Sequence, residues 1–139
     1  MNYLKCFIAI ALLTLSACKK EKLQSSGSIV GQWRLNAHYE TTIAGTRRTA
    51  ANQSDLTIIK FTDTQYIQSQ KGQVIESGNY QLAKNYNFYD DYHADALLVN
   101  NVVKGVYAIK RGNQDTLSIS MPFFAVDAGA SDEYVRISN

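Results

Sequence analysis

Ile29-Val30-Gly31-Gln32-Trp33-Arg34-Leu35-Asn36-Ala37-His38-Tyr39-Glu40 is the stretch that decides the fold class. Its odd positions read Ile, Gly, Trp, Leu, Ala and Tyr, and its even positions from 32 read Gln, Arg, Asn, His and Glu. A period of two sends alternate side chains to opposite faces, so this is a long strand with one buried and one wet face. Noisier runs of the same kind follow. Leu56–Thr62 and Gln65–Gln70 flank a short turn at Asp63, and Lys71-Gly72 turns the chain into Gln73–Ala83. Ala96–Asn100 and Val102–Lys110 are apolar, the second with Val103, Tyr107 and Ile109 in phase. Arg111-Gly112-Asn113 is a hairpin signal. Leu117, Ile119 and Met121 then alternate with Ser118 and Ser120, and Tyr134–Ser138 is the last run. About eight sequential strands with no helical period predict an all-β domain, an antiparallel up-and-down barrel whose closure removes exposed edges.

Composition agrees. Of 139 residues, 45% are apolar and 19% charged, which argues against disorder. One proline, nine tyrosines and five phenylalanines favour strands. The chain is one domain's worth, and its formal charge of +2 carries no electrostatic footprint for nucleic acid.

Upstream of the barrel the reading changes. Met1–Lys5 is short and carries one positive charge, Lys5, before the apolar run Cys6–Leu15. As a helix those residues would reach about 15 Å, half a bilayer core, which suits a signal-peptide core and not a transmembrane span. Ser16 and Ala17 are small, and Cys18 follows. Lys19-Lys20-Glu21-Lys22-Leu23-Gln24-Ser25-Ser26-Gly27-Ser28 is polar, lacks an apolar period and ends in a Ser/Gly cluster, the composition of a tether. The expected organisation is a cleaved leader at 1–17, a tether at 18–28 and a barrel domain at 29–139.

Leu15-Ser16-Ala17-Cys18 resembles a bacterial lipobox. That resemblance implies cleavage before Cys18, lipid chains (palmitate among them) on the new N-terminus, loss of Cys6 with the leader, and a membrane partner reached through the anchor. Cys18 would then be the only thiol left, so no disulfide forms and the core alone must hold the domain. Lys19 stands where an aspartate often signals inner-membrane retention, so the expected address is the bacterial cell envelope at the outer membrane. Gly31-x-Trp33, Gly78-x-Tyr80-x-Leu82 and Tyr134-Val135-Arg136 are similar to elements of small bacterial lipocalin-like lipoproteins. The resemblance implies a lipocalin-like barrel in which Trp33 plugs the closed end and Arg136 stacks over it. The mid-chain motif of strict lipocalins has only Asp91-Tyr92 as a counterpart.

The chemistry expected of such a domain is binding. Thr41–Ser54 is polar and glycine-containing, and it reads as a loop over the open mouth. Its Arg47 and Arg48 could meet a carboxylate or phosphate head, or be plain surface charges. Tyr39, Phe61, Tyr66, Tyr80 and Tyr107 are the candidates for inward aromatics. They suit a small hydrophobic or amphipathic ligand, or they fill an interior only just wide enough for side chains. Met121-Pro122-Phe123-Phe124-Ala125-Val126, if exposed, would favour the alternative of a filled barrel acting as an inhibitor or assembly factor on an envelope protein.

Catalysis and metal binding lack a signal. No Gly-x-Ser-x-Gly elbow is present. His38 falls on the polar face of the first strand, and Glu40 and Glu76 have no evident carboxylate partner. Tyr89-Asp90-Asp91-Tyr92-His93-Ala94-Asp95 is acidic, but counting from Asp91 the sixth and twelfth places of a calcium loop hold Ala96 and Val102. It reads as a solvated loop. No enzyme, cofactor or metal is expected.

Overall fold

A computed structural model describes residues 28–52, 54, 56–122 and 128–138. Cys18 and Phe123–Val126 therefore lie outside the described residues. Nine strands run in chain order: β1 Gly31–Thr42, β2 Gly45–Ala50, β3 Thr57–Phe61, β4 Gln65–Gln70, β5 Gln73–Tyr89, β6 Tyr92–Val99, β7 Val102–Lys110, β8 Thr116–Met121 and β9 Ala128–Ser138. All neighbours are antiparallel, and β1 pairs with both β3 and β9. The sheet thus closes on itself as an up-and-down barrel of eight strands, with β2 as an extra one.

Local chemistry explains the turns. Lys71-Gly72 and Asn100-Asn101 each place two consecutive residues at positive φ, the two-residue hairpin whose twist matches the flanking strands. Gly78 faces the Asn100 side chain so closely that a Cβ there would collide with it. The Asn100 amide uses that space to accept from Asn79 N (3.2 Å) and donate to Ser77 O (3.3 Å), satisfying backbone that β6 does not reach.

The core sits toward one end. Ile29, Trp33, Ile59, Phe61, Tyr66, Leu97, Val99, Tyr107, Leu117 and Tyr134 form one buried cluster. Trp33 donates its indole N–H to Ile29 O at 2.7 Å, so the N-terminal segment crosses the barrel end as a floor. Arg136 Cζ lies 4.0 Å from the Trp33 ring centre. Its guanidinium also donates to Val30 O (2.7 Å) and Ser28 O (2.5 Å) and meets Asp115 at 3.2 Å. Trp33 and Arg136 are thus the structural pair of the closed end.

Several expectations change here. Thr41–Ser54 is not a lid: β1 runs on to Thr42, turns at Gly45 and pairs back through β2 from Gly45 to Ala50. The reason is that β3 covers only Gly31–Arg34 of that β1 edge, leaving Ala37–Thr42 unpaired until β2 returns. Every residue of β2 is exposed, so no apolar alternation announced it. The acidic stretch read as a loop is also a hairpin, because β5 extends to Tyr89 and β6 begins at Tyr92. The last strand begins at Ala128, not at Tyr134.

Candidate ligand site

Register places the inner face. Trp33, Leu35 and His38 lie opposite Arg136, Tyr134 and Asp132, so those six side chains share the face that holds the core. The register slips between Leu35 and Ala37, where Asn36 is an extra residue in β1. That bulge reverses the phase. His38 turns inward, where the sequence pattern had it outward, and its Nδ1 meets Asp132 Oδ1 at 2.5 Å. Tyr39 turns to the outer face and leaves the inward aromatic set. There Arg48 Nε donates to its hydroxyl (3.1 Å), which donates to Glu133 at 3.4 Å. Arg48 is held on this outer face, and Arg47 is exposed on β2 opposite Glu40.

At the open mouth the inner face is polar. Beside His38–Asp132, Glu76 pairs with Lys104 at 2.5 Å and Tyr66 donates to Gln68 at 2.7 Å. Burial, reinforced by the Glu76 and Asp132 charges, raises the Tyr66 hydroxyl far above its ordinary 10.0. Burial also raises the Tyr134 hydroxyl from the same value, with Asp132 and Tyr66 adding to it. This cluster was invisible in the sequence, because its members come from β1, β4, β5, β7 and β9. These groups are satisfied by one another. A cleft of about 290 Å³ opens beside them, lined by Leu35, His38, Thr57 and Gln70 together with Thr49–Asn52.

At the closed end lies a larger cleft of about 430 Å³. The β6–β7 ladder stops at Ala96 opposite Val106, while β7 continues to Lys110. Between the diverging β5–β6 hairpin and β7 a gap opens, with Ser28–Val30 along its floor. Tyr80, Leu82 and Lys84 alternate along one wall and Tyr107 and Ile109 along the other. Lys84 Nζ forms an ion pair with Asp95 and sits 5.6 Å from the Tyr107 ring centre. The hydrogen bond to Asp95 raises the Lys84 ammonium, and the same bond holds the Asp95 carboxyl below its usual range.

The inward aromatics divide between the two uses open to them. Phe61 and Tyr66 are buried and meet edge to face, with ring centres 5.4 Å apart. Tyr80 also packs on Phe61 at 5.0 Å and donates its hydroxyl to Thr62 O at 2.8 Å, yet it lines the cleft together with Tyr107. Sequence reasoning missed Leu82, Lys84, Asp95 and Ile109. The alternation Tyr80-x-Leu82-x-Lys84 carried that signal, had β5 been read past Ala83. In the acidic stretch, Asp95 belongs to Lys84, while His93 Nδ1 contacts Asp91 O at 3.2 Å.

No family model matches the chain, and neither a curated protein nor a solved structure matches it.

Proposed function

We propose that the chain is a lipid-anchored, non-catalytic binding protein of the bacterial cell envelope, held at the outer membrane through Cys18. Its lipocalin-like barrel takes a small amphipathic molecule. The observation that carries this reading is the closed-end cleft. Its walls combine aliphatic side chains with two tyrosines, and a single ion pair stands at one side. An apolar body would lie against Leu82, Ile109 and the tyrosine rings, and a carboxylate or phosphate head would compete with Asp95 for the Lys84 ammonium. The anchor rests on the lipobox resemblance of Leu15–Cys18 and on the leader before it.

A second reading has an observation of its own. Ile43, Val74, Val102 and Met121 are 85, 62, 62 and 55% exposed, each in a turn or at a strand end on the mouth side of the barrel. Such a rim suits a protein partner, with the barrel itself filled.

Native mass spectrometry of the full protein, extracted gently from the envelope of its host, separates the two. A non-covalent small-molecule mass that disappears in Leu82→Glu supports the cleft. The same variant should weaken binding of the identified amphiphile about tenfold, or about 1.4 kcal/mol. A bound protein that survives Leu82→Glu and is lost in Val102→Asp supports the rim. An acylated Cys18 mass tests the anchor in the same spectrum.

A further inference from the structure

The far end of the β5–β6 hairpin lies beyond both the barrel and the cleft. β5 pairs with β4 only through Gln73–Asn79, and β6 pairs with β7 only through Ala96–Val99. From Lys84 to Asp95 the two strands therefore pair only with each other among the described residues. A two-stranded ribbon has no core behind it and is marginal in water. What packs this one is a chain of rings. Tyr86 meets Phe88 at 5.1 Å, Phe88 meets Tyr92 at 5.8 Å and Tyr92 meets Tyr89 at 5.3 Å. None of the four is buried, and Tyr92 is 40% exposed. Tyrosine carries an apolar ring with a polar tip, the chemistry that settles at a membrane–water interface.

The position of the tip agrees with its composition. Lys84 and Asp95 line the same cleft as Ser28–Val30, so the hairpin projects from the end of the barrel where the chain enters. Five further residues carry β5 from Lys84 to Tyr89, a rise of about 16 Å. On the tether reading of residues 18–28, about ten residues of coil would span roughly 16–19 Å. A lipid on Cys18 and the aromatic tip can thus reach one plane. Asp90 and Asp91 at the turn are exposed and disfavour an anionic surface. They suit a zwitterionic one, where ammonium headgroups face the carboxylates.

We infer that the Tyr86–Tyr92 tip inserts its rings among the headgroups of a zwitterionic phospholipid bilayer, so that the barrel stands on two contacts. The placement of the second contact, the anchor, rests on the lipidation reading above; the affinity of the tip does not.

The test uses the mature chain from residue 18 with Cys18→Ser, which contains the whole closed sheet from Gly31 to Ser138. In it, Phe88→Trp reports on the tip, while Trp33 is fully buried and supplies a constant background. With phosphatidylethanolamine/phosphatidylcholine vesicles, emission should shift to the blue and be quenched by brominated acyl chains. Adding Tyr86→Ser and Tyr92→Ser should cut vesicle partition at least fivefold. In the chain without tip substitutions, hydrogen exchange at amides 84–95 should slow on adding vesicles, a readout independent of how the variants fold. Unmoved emission in the Phe88→Trp chain, together with unchanged exchange, overturns the inference. Acyl mass on Cys18 of the unsubstituted protein is measured separately. Its absence with an intact emission shift defeats the anchor and leaves the tip; its presence with neither a shift nor slowed exchange defeats the tip alone.

Discussion

At the Trp33 end of the barrel, rings and one arginine close the interior, whereas at the mouth the inner face is held by charged pairs that water reaches. Trp33 is completely buried, and Arg136 ties its face to the carbonyls of Ser28 and Val30 and to Asp115. His38 and Asp132, by contrast, are 51 and 40% exposed. Large apolar area removed from water stabilises in proportion to that area, while exposed ion pairs contribute little. Stability therefore concentrates at one end. The same end carries the larger cleft, so a ligand there would lie beside the buried core.

That contrast can be broken by measurement, most sharply at Trp33. Trp33→Ala should cost about 3–5 kcal/mol in denaturant unfolding, because a large side chain leaves a cavity that the surrounding strands cannot fill. A loss below about 1 kcal/mol would mean that the closed end is not where the barrel is held. Arg136→Met keeps an unbranched apolar stem and removes the donors to Val30 and Ser28. It should cost about 1.5–3 kcal/mol, the range for hydrogen bonds from a charged group. Amides near Ile29 should exchange faster in this variant, and unchanged exchange there would show that the floor does not depend on the arginine.

At the mouth side the expected effects are smaller and appear with pH. Tyr66 and Tyr134 ionise in the fold only well above their ordinary value of 10.0, so the unfolded chain loses those protons first. Their contribution is complete below pH 10 and declines as pH rises above it. Tyr66→Phe and Tyr134→Phe should each cost about 0.5–1.5 kcal/mol at neutral pH, from the lost hydroxyl bonds. Each should also flatten the alkaline decline seen in stability against pH. A slope above pH 10 identical to that of the unsubstituted protein would show that these hydroxyls are not what resists ionisation.

Most of the barrel was legible in the sequence, and the misreadings have identifiable causes. β3, β4, β7 and β8 match their expected runs to within a residue or so, because one face of each is buried and the period of two survives. β2 carried no such record, since all of it is exposed and its partner is a free stretch of β1 edge. Tyr39 and His38 exchanged faces for a different reason. A bulge is set by how two strands pair, and Asn36 is extra only relative to β9, nearly a hundred positions away. Arg47 and Arg48 lost their lid through the same pairing. The cleft was half legible. Tyr80 and Tyr107 were picked out as inward aromatics, while Lys84 was not singled out and Asp95 was read into a solvated loop, because their partnership spans two strands.

The sequence by itself determined the all-β character and the order of the strands other than β2, through local alternation and turn residues. The closed-end pair Trp33 and Arg136 was implied by the resemblance of Gly31-x-Trp33 and Tyr134-Val135-Arg136 to lipocalin-like elements. Only the tertiary structure decided which polar groups meet inside the mouth, where the ladder between β6 and β7 stops, and that the N-terminal segment floors the cleft left open there. Those outcomes depend on the tilt and register at which eight strands close, a property of the whole ring that no single strand encodes.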